Sequence, residues 1–481
     1  MLYSVNELLE NASSTLFIQK GNEFFNKRYK VTALPYAMDE NTIFIPIIIE
    51  INGKVEDYYL NLENQLKKGI RGFFFDEIRL ADEKYRKILF DLLERYKDQI
   101  EFVIMTKDTL CTHRELARYT RVKRLPEKTK IIGITGTVGK TTTTEMIYNI
   151  LKHTKYIFHK DPERNIRFRV CQKLLDVPED EEFDYLIIEI SGASKGYLKF
   201  LAELLRVEIA VITKVTIENT GVFGTLEGVG KNKCSLMSCI PNKEGCFAVL
   251  DDTELVRKCA EEYDCEKIFV REDGYTLISK DANGSTFIYD GDEYRTTAIG
   301  EHFIGNCIKA ITLAKRLGID VPTIQKGLAE KTMLGDRWMI GELNENRTII
   351  TDCANNPIDS TMVILKLFLE LYGHKKNKRI VISEIRNLGT YARDVYMDLA
   401  KHLVNLDIQE AICIHENIEC LARYLEENSN IKVTRFSEVP VITKNCELVK
   451  YLKGTPMEDE AILVKCSFGL GYEYVAGFLK E

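Results

Sequence analysis

The stretch Ile131-Ile132-Gly133-Ile134-Thr135-Gly136-Thr137-Val138-Gly139-Lys140-Thr141-Thr142-Thr143-Thr144 leaves this chain few ways to fold. An apolar run enters it as a buried parallel strand would, two glycines free the backbone to wrap an anion, and a helix-forming run from Glu145 to Leu151 follows. Strand, loop and helix in that order make a phosphate loop (P-loop), because backbone N–H groups and the positive end of the helix converge on phosphate oxygens. Gly136, Thr137, Gly139, Lys140, Thr141 and Thr142 are the expected nucleotide-binding residues. Lys140 adds a point charge for the β- and γ-phosphates of ATP, and the Thr141 hydroxyl is an expected ligand of Mg2+. The spacing departs from G-x-x-x-x-G-K-[ST], since Ile134 stands where the first glycine belongs. What remains is T-G-x-x-G-K-T-T; the plainer alternative is a glycine-rich turn joining strand to helix.

A chain of 481 residues has room for about three domains, and with 45% hydrophobic residues it can bury proper cores. The net charge of -7 argues against nucleic acid or an anionic membrane as the main partner. Met1 to Glu10 carries two acidic residues and no long apolar core follows, so no signal peptide is expected. No apolar run approaches the length that spans a bilayer. The 13 cysteines are scattered, none in C-x-x-C spacing, which is the pattern of buried thiols in a reducing cytoplasm. The seven histidines show no H-x-x-x-H pair, so zinc is not expected.

Apolar runs and amphipathic stretches alternate along the chain, which predicts an α/β fold with parallel or mixed sheets. Residues 1–126 read as a first α/β unit, with a β-branched run at Thr42 to Ile51, strands at Gly72 to Phe75 and Phe102 to Met105, and helices at Leu60 to Lys68 and Glu83 to Arg95. The basic stretch Arg121 to Lys130 reads as a linker. Residues 127–335 form a central unit around the phosphate loop, with buried strands at Tyr185 to Ile190, Ile209 to Thr213 and Phe247 to Asp251, an antiparallel extension from Tyr275 to Thr297 and a helix at Ile304 to Leu317. Residues 336–481 read as a smaller doubly wound unit with strands at Thr348 to Asp352, Arg379 to Ser383, Ala411 to Ile414 and Ile462 to Lys465.

The order of motifs resembles the Mur ligase family, ATP-dependent enzymes that join an amino acid or peptide to a carboxylate. Four signatures carry the resemblance: T-G-T-x-G-K-T-T at Thr135 to Thr142, the strand end Glu189 to Ala193, Ile212-Thr213 followed by Phe223-Gly224 to Lys233, and Asp352 to Pro357. Asn387-Leu388-Gly389 and Leu463 to Ser467 are similar to runs of the MurF branch. The resemblance implies a three-domain architecture: an N-terminal substrate-binding domain, a central P-loop parallel-sheet domain and a C-terminal Rossmann-like domain. It also implies roles. Glu189 matches the acidic Mg2+ ligand; Lys233 matches the lysine that family members carbamylate to hold a second Mg2+; Asn306 matches an asparagine that contacts the nucleotide. Arg337 and Asp352 match residues that reach its phosphates and ribose when the C-terminal domain closes. Lys140, Glu189 and Lys233 are therefore the expected catalytic residues, and a nucleotide-linked peptide or other carboxylate with an amino acid are the expected substrates of a cytoplasmic monomer.

The departures are specific. Glu218-Asn219 replaces the Asp-His pair usual in bacterial members, leaving Asn219 to offer a carbonyl oxygen to Mg2+. Lys214 and Val138 each stand where asparagine is usual, and Asn355 where many relatives have histidine. The first unit shows no clear serine–arginine pair of the kind that positions UDP. An archaeal pseudomurein peptide ligase accommodates these departures. A folylpolyglutamate- or cyanophycin-type ligase, and a nucleotide-binding regulator that has lost catalysis, stay open as alternatives.

Overall fold

The apolar runs Gly72–Asp76, Phe102–Thr106 and Phe247–Asp251 form strands buried along their whole length. The structure, a computed structural model, describes residues 1–35, 38–51, 54–159, 167–281, 283–331, 338–353, 356–436, 442–466 and 471–480. The chain divides into two compact units, Met1–Ile132 with Lys155–Ser191 and Phe200–Glu208, and Gly133–Thr154 with Gly192–Lys199 and Ile209–Glu481.

The first unit holds a six-stranded sheet in the order Tyr3–Ser4, Arg28–Thr32, Thr42–Phe44, Gly72–Asp76, Phe102–Thr106, Ser14–Gln19. Its four inner strands are parallel and its two edges antiparallel. Every residue of Gly72–Asp76 and Phe102–Thr106 is buried, as strands covered on both faces must be. The run expected at Thr42 to Ile51 splits into Thr42–Phe44 and Ile48–Ile51, the latter pairing with Lys54–Asp57 in a separate hairpin. Pro46 lies in the gap and has no N–H to continue a ladder. The expected linker begins inside structure: Thr120–Arg124 forms a π-helical turn, and Arg121 is buried, donating to the Leu205 carbonyl at 2.8 Å and pairing with Glu208 at 2.8 Å. A parallel pair, Ile157–Phe158 with Tyr185–Glu189, completes this unit.

The strand Lys130–Thr135 begins in the first unit and ends in the second. There the parallel strands Ile209–Ile212, Phe247–Asp251 and Glu266–Val270 lie side by side. Helix Lys140–Leu151 packs against helices Ile304–Arg316 and Val321–Leu328. The antiparallel extension is a three-stranded sheet, Thr276–Asp281, Gly284–Tyr289 and Asp292–Thr296. The same unit holds a six-stranded sheet ordered Trp338–Asn344, Arg347–Asp352, Glu460–Lys465, Asn377–Ser383, Glu410–Ile414, Lys432–Phe436. Only its first pair is antiparallel. Ile364, Phe368, Tyr396 and Leu421 pack on one face and Leu448, Leu452, Tyr472 and Val475 on the other, so helices cover both sides. At the amino ends of these strands Arg379 is wholly buried between Glu410 at 2.6 Å and Glu460 at 2.9 Å. No helix among the described residues is long and apolar enough to cross a membrane.

Candidate active site

The phosphate loop leaves the buried strand Lys130–Thr135 and enters helix Lys140–Leu151 through Gly139, whose φ of +87° only glycine adopts freely. A Cβ on Gly136 would lie 1.9 Å from the Thr213 hydroxyl, and one on Gly139 would lie 2.2 Å from Asn306 Oδ1. Both glycines are thus demanded by neighbours as well as by the backbone, and Asn306, at the start of helix Ile304–Arg316, sits directly on the loop. The loop is braced from below: the Thr213 hydroxyl donates to the Val138 carbonyl at 2.6 Å, and the Lys214 carbonyl accepts from the Thr137 amide at 2.8 Å. Lys140 folds back and donates to the Gly136 and Thr137 carbonyls at 3.0 and 2.9 Å. Thr141 is half-buried and Thr142 buried in the first helical turn. Gly136, Thr137, Gly139, Lys140, Thr141, Thr142 and Asn306 therefore stand together in the second unit.

Lys233 lies on helix Leu226–Cys234, which Thr225 caps by accepting from the Gly228 amide. It is only 3% exposed. Its neighbour Asn232 donates to the Gly192 carbonyl at 2.8 Å, within the same unit. Glu189 ends the strand Tyr185–Glu189 of the first unit and is buried. Asn219 has a left-handed φ of +56°, and its Oδ1 accepts from Asn387 Nδ2 at 3.1 Å. Asp352 closes the strand Arg347–Asp352 and accepts from the buried Lys465 ammonium at 2.8 Å, which also donates to the Ser360 hydroxyl at 2.9 Å. Arg337, Asn355 and Ser467 lie outside the described residues.

Beside the loop, Lys214, Asp251, Asp252, Thr253, Arg271, Glu272 and Asp273 line a cleft at the carboxyl ends of three parallel strands. Lys309, fully buried, meets Asp251 at 3.2 Å and Glu272 at 2.6 Å. Burial pushes the Asp251 carboxyl above the usual range, against the pull of Lys309. Among the described residues no cluster of three or more His, Cys, Asp or Glu forms a metal cage. The expected donors are instead a carboxylate and a hydroxyl, hard oxygens of the kind Mg2+ takes while keeping water and phosphate as its other ligands. Their chemistry fits that ion. The thirteen cysteines are free thiols.

Lys465, Lys309 and Asn387 carry no local motif that marks a role. A lysine in a β-branched run signals burial with a partner, but its partner Asp352 is 113 residues away. Lys214, which stands where the family has asparagine, places its ammonium 3.7 Å from Asp359 at the start of helix Ile358–Tyr372.

Residues 134–314 match the family described as Mur ligase middle domain. The UDP-N-acetylmuramoyl-tripeptide--D-alanyl-D-alanine ligase of Bacillus subtilis is 24% identical over 443 residues, 90% of this chain and 93% of that one. A crystal structure of MurF from Acinetobacter baumannii superposes with a TM-score of 0.76 at 18% identity, covering 100% of this chain and 99% of that one. The MurF ligase from Thermotoga maritima in complex with ADP gives a TM-score of 0.69 at 16% identity, covering 94% and 97%. The α/β fold with parallel-sheet domains and the resemblance drawn from the motifs are both borne out.

Proposed function

We propose that this chain, a member of the Mur ligase family by its central domain and its fold, is an ATP-dependent, ADP-forming ligase of cell-wall precursor synthesis. It joins the carboxylate of a nucleotide-linked peptide to the amine of an amino acid or short peptide. The observation that carries this reading is the phosphate loop Gly136–Gly139, closed on one side by Asn306 and on the other by Thr213 and Lys214.

A carboxylate is a poor acyl donor at neutral pH, because resonance and negative charge repel an approaching amine. Transfer of the γ-phosphoryl group of ATP to it breaks the terminal phosphoanhydride, releases ADP and leaves an acyl phosphate. The uncharged amine then attacks the carbonyl carbon, inorganic phosphate departs, and the amine nitrogen loses its proton. In this reading the loop amides from Gly136 to Thr141 hold the phosphates. Lys140 leaves the carbonyls of Gly136 and Thr137 to meet the β- and γ-oxygens, stabilising charge as it moves to the transferring group. Asn306 contacts the nucleotide from the loop's flank, and Arg337 and Asp352 reach it from the C-terminal part.

Thr141, Glu189 and Lys233, the last as its carbamate, are the residues that would hold magnesium, with Asn219 as a further carbonyl donor. Magnesium bound there would neutralise charge between the triphosphate and the acceptor carboxylate. Lys233 is buried on its helix beside Asn232, which bonds to the Gly192 carbonyl, and this enclosed position supports a role inside the site. Water must be kept from the acyl phosphate, and closure of the C-terminal part over the site serves that end. The three functional domains are proposed at 1–126, 127–335 and 336–481, in a monomer working in the cytoplasm.

The test is ATP consumption by the purified chain with magnesium, a UDP-linked muramoyl tripeptide and D-alanyl-D-alanine, supplied singly and together, with products read by mass spectrometry. ADP release that needs both substrates, with a product equal to their sum less water, is expected. ATP turnover indifferent to both substrates, across peptidoglycan and pseudomurein peptides alike, would sink the reading.

A further inference from the structure

Helix Leu226–Cys234 carries Glu227, Gly230 and Cys234 at i, i+3 and i+7, one stripe along its length. Helix Glu254–Ala260 lies against that stripe through Leu255 and Cys259, all within the second unit. A Cβ on Gly230 would fall 2.9 Å from Cys259 Sγ and 3.4 Å from the Leu255 side chain, so the bare glycine is what lets the thiol reach the helix. Cys259 also donates to the Glu227 carbonyl, with its Sγ 3.8 Å from that oxygen. Both cysteines are buried.

Side chains on a helix lean towards its amino end, so the Cys234 thiol covers the turn that holds Gly230. Cys259 Sγ sits against that same turn. Cys234 donates to it there, and this bond holds the Cys259 thiol below the usual thiol range. A thiol that yields its proton readily, with a second thiol beside it, is the arrangement of a reversible disulfide. The two helices are nine and seven residues long. The exposed Lys231 and Lys258 meet Glu227 across their seam at 3.0 and 3.3 Å, so a local opening of the surface admits a small oxidant to the pair.

We propose that Cys234 and Cys259 form a reversible disulfide that switches off the site to which Lys233 belongs. The Cys259 thiolate attacks one sulfur of a low-molecular-weight disulfide, breaking its S–S bond; the expelled thiolate takes up the proton that Cys259 lost. Cys234 then attacks the Cys259 sulfur of the mixed disulfide. The S–S bond within the chain forms, and the second half of the oxidant leaves as a thiol with the proton of Cys234. The two protein thiols lose two electrons and the small disulfide gains them. Bonded sulfurs stand about 2.05 Å apart, well inside the separation of two hydrogen-bonded thiols, so the last turn of Leu226–Cys234 is drawn towards Glu254–Ala260. Lys233 precedes Cys234 in that turn and moves with it. A misplacement of about 1 Å at a reacting centre costs up to about a hundredfold in rate. The loss of ligation rests on the proposed function; the cross-link does not.

The full chain, first reduced and then held in glutathione disulfide, is digested without reductant and mapped by mass spectrometry, with ligation assayed in parallel. A peptide joining Cys234 to Cys259 is expected, with ligation lowered about tenfold or more and restored by dithiothreitol. Cys234→Ser and Cys259→Ser are each expected to ligate as fast in glutathione disulfide as in dithiothreitol. Absence of the joined peptide, its presence with ligation undiminished, or an equal loss of ligation in parent and variants overturns the switch. A parent that forms the cross-link but ligates nothing when reduced overturns the ligase reading and leaves the thiol pair standing.

Discussion

His113 is a buried side chain with room for one proton only. Gln172 donates to the Val31 carbonyl at 3.1 Å and accepts from the Ala33 amide at 2.9 Å, which fixes its amide so that Oε1 also faces His113 Nε2 at 3.0 Å. The imidazole must therefore carry its proton on Nε2, and its buried Nδ1 has no hydrogen-bond partner. Burial pushes the His113 pKa down to about 4, and the bond to Gln172 recovers only part of that. Because the folded value lies below the unfolded one of 6.5, the contribution to stability is complete above about pH 6.5 and is lost as the pH falls towards 4. Linkage sets the size at roughly 3 kcal/mol. Urea midpoints measured at pH 7 and pH 5 should fall in the parent and fall less in His113→Gln, which keeps a donor to Gln172 without a titrating ring. An equal fall in both would remove His113 from the acid limb.

At the scale of elements, the helix that carries the phosphate loop is set by how closely its neighbour approaches. A Cβ on Gly327, in helix Val321–Leu328, would lie 2.4 Å from the Ile150 Cα and 2.7 Å from the Asn149 carbonyl oxygen, both backbone atoms that cannot yield. Gly327→Ala should therefore force helices Val321–Leu328 and Lys140–Leu151 apart, at about 1–3 kcal/mol, and lower the melting temperature; an unchanged melt would mean the pair has slack. That contact was invisible in the chain, whereas the helix itself was plain. Phe247–Asp251 and Glu83–Arg95 were legible to the residue because a strand buried on both faces and a helix with one apolar stripe each leave an unmixed pattern. Ser14–Gln19 and Lys432–Phe436 were not, since edge strands mix exposed and covered positions over five or six residues. The phosphate loop could be read locally because its ligand is held by consecutive residues. The Asn219–Asn387 contact and the Lys465–Asp352 pair could not, for each joins residues more than 100 apart.

For the whole molecule, the C-terminal sheet has a charged centre as well as two apolar faces. Arg379 spans Glu410 and Glu460, all three fully buried, and Arg347 adds a second contact to Glu460. Arg379→Met would fill the space but leave two carboxylates without their shared cation. A loss of about 3–5 kcal/mol in chemical denaturation is expected, and a loss below 1 kcal/mol would mean water or Arg347 replaces it. The order of strands carries a further consequence. Among the described residues Glu460–Lys465 is the last strand in chain order, yet it lies between Arg347–Asp352 and Asn377–Ser383. During translation at about 5–20 residues per second, Asp352 leaves the ribosome many seconds before Lys465 exists to neutralise it. Until then the half-made sheet has a slot in its middle, where a strand from elsewhere can pair in place of the native one.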